Sequence, residues 1–422
     1  QRLWKSTDRG DSWTAISGDL TKDLERIEQP IMGKKQSWDN AWDIRAMSDY
    51  STISNISQSP IQADLIYVGT DDGLIQITED GGESWHKIDL SRLGVPSTAF
   101  VNDIKADLHD VNTVYVCIDN HKFGDFQPYF FKSTNKGKSW KKMTKNLPDN
   151  ALLWRMVQDH MNKDLLFLAT EFGIYTSLNG GVEWLRMKSG LPTISIRDLA
   201  IQKRENDLVA ASFGRGFFIL DDYSPLREMT EENINAEAHI FPIKDPWCYM
   251  QRTVLGGRKK GSQGSSHYVA PNPPFGAVIT YHLAKDYESL EDKRKASEKK
   301  KKDEDIEFPG WEALEKEKQE QKPSVYLVIK DVDGDVVRRI KAKAKKGVHR
   351  IAWDLRYPYT GAVWNATLPK NPADAPRGYM AQPGQYTATL VKLENGKYTQ
   401  LAQPQSFNVK RLTQGALEGS SI

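Results

Sequence analysis

The chain has 422 residues, enough for two or three domains, and 39% of them are hydrophobic, with 12 tryptophans, so large cores can be built. The formal net charge is +2, which excludes generic attraction to nucleic acid or to an anionic membrane surface. No apolar run approaches the length that spans a bilayer, and the two cysteines, Cys117 and Cys248, lie among apolar and aromatic residues without metal-like spacing. Both are expected as buried free thiols, and no cofactor or metal ion is expected.

In chain order, residues 1–16 carry two short strand patterns joined by Ser6-Thr-Asp8-Arg-Gly10-Asp-Ser-Trp13. A long polar connection over 17–52 follows, with Trp38 and Trp42 inside it. The pattern then becomes regular. Strands are expected at 51–57, 65–70, 74–78 and 84–88, then at 101–106, 113–118, 129–133 and 140–143. A third set is expected at 153–158, 165–170, 174–177 and 183–187, and a fourth at 196–202, 207–212 and 217–220, with 240–243 supplying its outer strand. Short strands repeating in fours with glycine-bearing turns predict β-propeller blades rather than a sandwich.

One eight-residue pattern, Ser/Thr-x-Asp/Asn-x-Gly-x-x-Trp, recurs within residues 1–16 and before the last strand of each of the first three sets; the fourth set carries none. It reads Ser6 to Trp13, Thr78-Glu-Asp80-Gly-Gly82-Glu-Ser-Trp85, Ser133-Thr-Asn135-Lys-Gly137-Lys-Ser-Trp140 and Ser177-Leu-Asn179-Gly-Gly181-Val-Glu-Trp184. The Asp or Asn side chain accepts backbone N–H groups of its own turn. The glycine supplies positive φ, and the tryptophan is expected to bury its ring at the start of the returning strand.

Beyond residue 243 the composition changes. Residues 244–274 are rich in Gly, Ser and Pro and are expected to connect two domains. Residues 275–410 carry a second all-β set, interrupted at 285–321 by a Lys/Glu-dense stretch with helical composition, and 411–422 form a tail. The expected organisation is therefore a part-propeller over 1–243, a connection over 244–274 and a β-sandwich over 275–410. The Asp331-Val-Asp333-Gly334-Asp335 string reads as a hairpin turn, since its glycine falls too early for a calcium loop.

The recurring pattern resembles the Asp-box (BNR) repeat of sialidase-like and sortilin-like β-propellers. Gly347-Val-His-Arg-Ile-Ala-Trp353-Asp354-Leu with Pro383-Gly384-Gln-Tyr386 resembles the Ig-like domain of the flagellar hook-cap type. Together with Pro128-Tyr-Phe-Phe-Lys-Ser-Thr and Gly214-Arg-Gly-Phe-Phe-Ile-Leu-Asp-Asp, these strings resemble a bacterial family labelled sortilin-like or glycosyl hydrolase. The resemblance implies that the boxes are structural and that ligands bind on the opposite face. It also implies an exported protein, periplasmic, outer-membrane-associated or extracellular.

On that face the turns should bring together Asp71, Asp72, Asp119, His121, Glu171 and Arg215, beneath Trp38 and Trp42. Carboxylates with aromatic rings suit a sugar site; aspartates and glycines are also ordinary turn formers. Two functions stay open: a non-catalytic recognition or scaffold module for a glycan or protein partner, and a glycoside hydrolase whose acids would be Glu171, Asp72 and Asp71. The first set of strands begins halfway through a blade, so the remaining strands of the propeller are expected from upstream sequence or from a separate chain that stays associated. Intact mass of native material tests this: a partner carrying the same repeats is the expected result, and a lone monodisperse species of 47.9 kDa with a cooperative melt would refute it.

Overall fold

The computed structural model describes residues 1–30, 33–39, 50–251, 270–301, 305–361 and 377–412. Trp42, most of the expected connection and nearly all of the tail lie outside them. The chain forms two compact units, Gln1–Arg227 and Glu228–Ile422.

The first unit consists of propeller blades. A hairpin of Trp4–Lys5 and Thr14–Ala15 precedes three four-stranded antiparallel sheets and one three-stranded sheet. The first sheet holds Ile53–Gln58, Ile66–Thr70, Leu74–Thr78 and His86–Asp89; the second Phe100–Ala106, Val114–Asn120, Asp125–Ser133 and Lys141–Lys142. The third holds Leu153–Gln158, Leu166–Thr170, Gly173–Ser177 and Leu185–Arg186; the fourth Ile196–Gln202, Asp207–Ser212 and Phe217–Leu220. Each sheet pairs its strands in sequence order, and the first strands of successive sheets lie side by side. The middle strands are buried on both faces. This explains their continuous Val, Ile, Leu and Phe content, because their apolar residues form cores shared between neighbouring sheets.

The recurring turns are built from their own side chains. Asp8, Asp80, Asn135 and Asn179 accept the N–H four residues on, from Ser12 at 2.9 Å, Ser84 at 3.0 Å, Ser139 at 2.8 Å and Glu183 at 2.9 Å. The preceding hydroxyl of Ser6, Thr78, Ser133 or Ser177 donates to the same side chain and accepts the N–H of Gly10, Gly82, Gly137 or Gly181. The Ser12 hydroxyl and amide hold the Asp8 carboxyl down at about 2, and Ser84 lowers Asp80 in the same way. Gly82 has φ +110°, and a Cβ there would meet the Ile16 carbonyl oxygen at 2.3 Å, so glycine is required on both counts.

The tryptophans differ from expectation. Trp184 is buried, but Trp85 and Trp140 are half-buried, and Trp13 is 59% exposed. The reason is the sheet before each one. Trp85 Nε1 donates to the Ile16 carbonyl at 3.3 Å, and Trp184 Nε1 to the Met143 carbonyl at 2.9 Å, each on the preceding hairpin or sheet. Among the described residues Trp13 meets no sheet in this way, and it donates to Gly10 in its own turn instead.

In the second unit, one three-stranded sheet holds Ala238–Ile240, Ala277–Leu283 and Gly347–Trp353. A larger sheet holds Trp247–Cys248, Gln405–Arg411, Gly384–Glu394, Ser324–Lys330 and Val336–Ala342, with Lys397–Gln400 beside Gly384–Glu394. Trp353, Tyr281 and Ile279 of one share a core with Leu327, Leu390 and Phe407 of the other, which makes a two-sheet sandwich. The apolar run 240–243 therefore does not complete the fourth blade as expected; the strand formed there, Ala238–Ile240, pairs with Ala277–Leu283, and the two units divide after Arg227. The charged stretch forms two helices, Leu290–Lys300 and Trp311–Gln319. Ser289 and Asp292 make a capping box at the first, and Arg294 ties the helices together through Glu317 at 2.8 Å. Among the described residues, no helix is long and apolar enough to cross a membrane.

Burial sets the expected stability effects. Trp184→Ala should destabilise the first unit by about 3–5 kcal/mol, and Trp13→Ala by less than about 1 kcal/mol. Urea denaturation of the two variants measures the difference.

Candidate functional site

The first strands of the four sheets follow one pattern: Ile53-Ser-Asn-Ile56, Val101-Asn-Asp-Ile104, Leu153-Trp-Arg-Met156 and Ile196-Arg-Asp-Leu199. In each, pairing with the second strand slips by one residue, leaving Ser54, Asn102, Trp154 and Arg197 as β-bulges. A bulge turns a side chain toward the neighbouring sheet. Ser54 Oγ donates to the Val101 carbonyl at 2.7 Å, and Asn102 Nδ2 to the Leu153 carbonyl at 2.6 Å. The next residues repeat the device: Asn55 Oδ1 accepts the Ile104 N–H at 3.2 Å, and Asp103 Oδ2 the Met156 N–H at 2.9 Å.

Between the third and fourth sheets the polar links give way to a stack. The Arg197 guanidinium lies 3.6 Å over the Trp154 ring and 5.2 Å from the Phe213 ring. Trp154 Nε1 donates to Glu171 Oε2 at 3.0 Å, Ser195 Oγ donates to the same oxygen at 2.9 Å, and Arg197 stands 3.9 Å from it. The His121 ring also meets Trp154, edge-on at 5.6 Å, and His121 Nδ1 lies 2.5 Å from Asp119 Oδ1. The result is a continuous cluster, Asp119, His121, Trp154, Arg197 and Glu171, with Ser195 and Phe213 at its margin. The Arg197 side chain is 41% exposed and donates no hydrogen bond among the described residues.

These residues lie at one end of their sheets. The eight-residue turns bond to the turns between first and second strands, Gly81 to Asp64, Lys136 to Asn112 and Gly180 to Asp164. Asp71, Asp119 and Glu171 stand at the opposite ends of the second strands. Asp71 and Glu171 occupy equivalent places, since their N–H groups donate to Thr52 and Leu152, and Phe213 N–H likewise donates to Ser195.

The sequence-derived candidates separate in the structure. Asp119, His121 and Glu171 are joined through Trp154. Asp71 and Asp72 are buried and already bonded: Asp71 accepts the Thr52 N–H at 2.6 Å and hydroxyl at 2.8 Å, while Asp72 accepts the Thr70 hydroxyl at 2.5 Å and the Lys22 N–H at 2.7 Å. They hold the connection from the first hairpin, and burial pushes the Asp71 carboxyl up. Arg215 is exposed on the turn after Asp207–Ser212, with no described contact to Glu171; Arg197 takes the place expected of it. Trp38 is exposed. Trp154 and Arg197 were missed because they look like interruptions of an apolar strand. Alignment of the four first strands puts them in one column with Ser54 and Asn102.

Below the stack, Arg155 connects two acids. Its guanidinium lies 3.5 Å from Asp103 Oδ1 and 3.7 Å from Asp198 Oδ1. Burial pushes the Asp103 carboxyl up to about 6, against the opposing pull of Lys105, the Met156 N–H and Arg155. Among the described residues, no group of three or more His, Cys, Asp or Glu side chains could hold a metal ion.

Comparison with protein-family models gives no match, and comparison with curated protein sequences gives none either. Among solved structures the chain is similar to an ancestral GH74 enzyme, with 16% identity, a TM-score of 0.36, and coverage of 95% of this chain and 43% of that one. It is similar to the GH74 enzyme of Niastella koreensis at 14% identity and a TM-score of 0.32, covering 56% of this chain and 29% of that one. YCF48 from Cyanidioschyzon merolae matches at 19% identity and a TM-score of 0.30, covering 40% of this chain and 52% of that one. The chain thus spans about half or less of each of these proteins, and the propeller assignment rests on the sheet order and pairing described above.

Asp103 has a measurable consequence. In the folded protein it keeps its proton to about pH 6, whereas in the unfolded chain it releases it near the ordinary value of about 3.9. The folded state binds more protons in that window, so this group's contribution to stability falls as pH rises from about 4 to 6. Asp103→Asn should flatten that part of the pH–stability profile, by an amount on the order of 1–3 kcal/mol. Urea midpoints at pH 4 and pH 7 check it; an unchanged slope would refute the assignment.

Proposed function

We propose that the chain is a non-catalytic recognition module whose ligand, a glycan or a protein segment, binds at the Trp154–Arg197–Glu171 cluster. One observation carries the reading: a partly exposed guanidinium 3.6 Å from the Trp154 ring and 5.2 Å from the Phe213 ring, with no hydrogen bond donated among the described residues. Stacking removes much of the rotamer freedom that an exposed arginine would lose on binding, and leaves a planar donor fork suited to an acidic group. Phe213 offers an apolar surface beside it.

The eight-residue turns support membership of the Asp-box, sortilin-like class, and the two-sheet second unit supports an Ig-like module. That pairing favours an exported or cell-surface bacterial protein. The glycoside hydrolase reading is the weaker one. Asp71 and Asp72 are consumed by Thr52, Thr70 and Lys22, so a pair of acids at hydrolytic spacing would have to be found without them.

Calorimetry against a panel of neutral and acidic glycans and acidic peptides tests the reading. Acidic ligands should bind, and Arg197→Gln should weaken them by roughly tenfold or more. Binding that is indifferent to Arg197→Gln would refute it. Glycan hydrolysis abolished by Glu171→Gln would favour the enzyme instead.

A further inference from the structure

The fourth sheet has only three strands, and no described residue pairs with the outer edge of Phe217–Leu220. The phase of that edge is set by the Ser212 N–H, which donates to the Gly216 carbonyl at 3.0 Å. With Ala210 opposite Phe218 and Leu208 opposite Leu220, these residues exchange backbone bonds, and Phe217 and Ile219 turn their N–H and C=O groups to the open edge. The Phe218 and Leu220 side chains pack toward the third sheet, whereas those of Phe217 and Ile219 are 75% and 58% exposed. An unpaired edge of this kind is a template for another strand.

A groove of about 160 Å³ lies beside this edge, lined by Ile174, Met187, Leu191, Leu208, Phe218 and Leu220. Its place in the fold continues the established interface between successive sheets. Met187 N–H donates to the Ile174 carbonyl, as Met143 does to Phe130 and Ile16 to Leu3. In those two earlier cases the free carbonyl of Met143 or Ile16 receives the indole N–H of a tryptophan from the outer part of the next sheet, Trp184 or Trp85. At Met187 the equivalent tryptophan would come from a fourth strand of the fourth sheet, and no described residue provides one.

We propose that the Phe217–Leu220 edge and the Met187 groove form a strand-docking site for an extended segment of another polypeptide carrying a tryptophan. The segment pairs with the outward N–H and C=O groups of Phe217 and Ile219. Its indole fills the groove and donates to the Met187 carbonyl. The chemistry of the occupant is that of the two interfaces of this chain in which an indole N–H reaches a carbonyl; at the third, Trp140 Nε1 finds no partner among the described residues. This site is independent of the Trp154–Arg197 cluster.

The probe is a fluorescein-labelled peptide with the sequence of residues 82–90, which contains Trp85 and the strand after it, titrated with the full chain and followed by anisotropy. The peptide should bind, and its Trp85→Ala form should bind roughly tenfold or more weakly. In the chain, Ile219→Pro removes one outward N–H without touching a bond to Asp207–Ser212, and should abolish binding while leaving the thermal melt unchanged. If Ile219→Pro unfolds the fourth sheet, the comparison of the two peptides on the unaltered chain still decides. Absence of binding at millimolar peptide, or equal binding of both peptides, would overturn the proposal. So would self-association that Ile219→Pro removes, which would assign the edge to a second copy.

Discussion

The structure of the first unit depends on how one sheet is locked to the next along the first strands. A one-residue bulge at the same place in every first strand frees a side chain that reaches the neighbouring sheet. From the first sheet to the second, and from the second to the third, that side chain is polar and bonds a backbone carbonyl. Such a bond satisfies a buried carbonyl and fixes the spacing of the sheets. At two of the outer ends a second contact adds to this, the indole N–H of Trp85 or Trp184 on a carbonyl of the hairpin or sheet before. The first and third sheets are thereby fastened at both inner and outer edges, and apolar residues fill the cores shared between neighbouring sheets.

The candidate site is a variation on this lock. Where Ser54 and Asn102 hydrogen-bond the next sheet, Trp154 receives the face of Arg197. The large ring also reaches Glu171 and His121, so two turns that would otherwise be separate are tied to one indole. The same bulge that joins the sheets therefore assembles the cluster. A guanidinium placed this way is rigid without being neutralised at close range, because Glu171 stands at 3.9 Å and is engaged by Trp154 and Ser195. The buried Asp103 and its neighbour Arg155 lie one residue further along the same strands, with Arg155 between Asp103 and Asp198.

Much of this architecture was legible in the sequence, because it is made by residues close together along the chain. The eight-residue turn closes on its own hydroxyl, carboxyl or amide and glycine, so its chemistry can be recognised wherever the string occurs. The strand order follows from the spacing of these turns, and the opposite placement of Asp119 and Glu171 follows from strand alternation along each sheet. The helical character of the insertion in the second unit was likewise signalled by the Lys/Glu-dense composition of residues 285–321.

What the tertiary structure decided were the contacts between segments far apart. Asp71 and Asp72 have the sequence signature of open turn acids, yet Thr52 and Lys22, brought in from the long connection, bury them. Arg215 sits on a glycine-rich turn and is exposed, whereas Arg197 sits within a strand and looks structural; a slip of one pairing position puts the second, not the first, on Trp154 beside Glu171. Residues 240–243 carry the apolar pattern of an outer blade strand, yet Ile240 pairs with Tyr281 of Ala277–Leu283, a partner that this short run does not encode. Trp13 matches Trp184 in its turn but not in its burial, because burial belongs to the pair of sheets rather than to the turn. Local hydrogen bonds determine a turn from eight residues; register, bulges and the neighbour a side chain meets are fixed only when whole sheets pack.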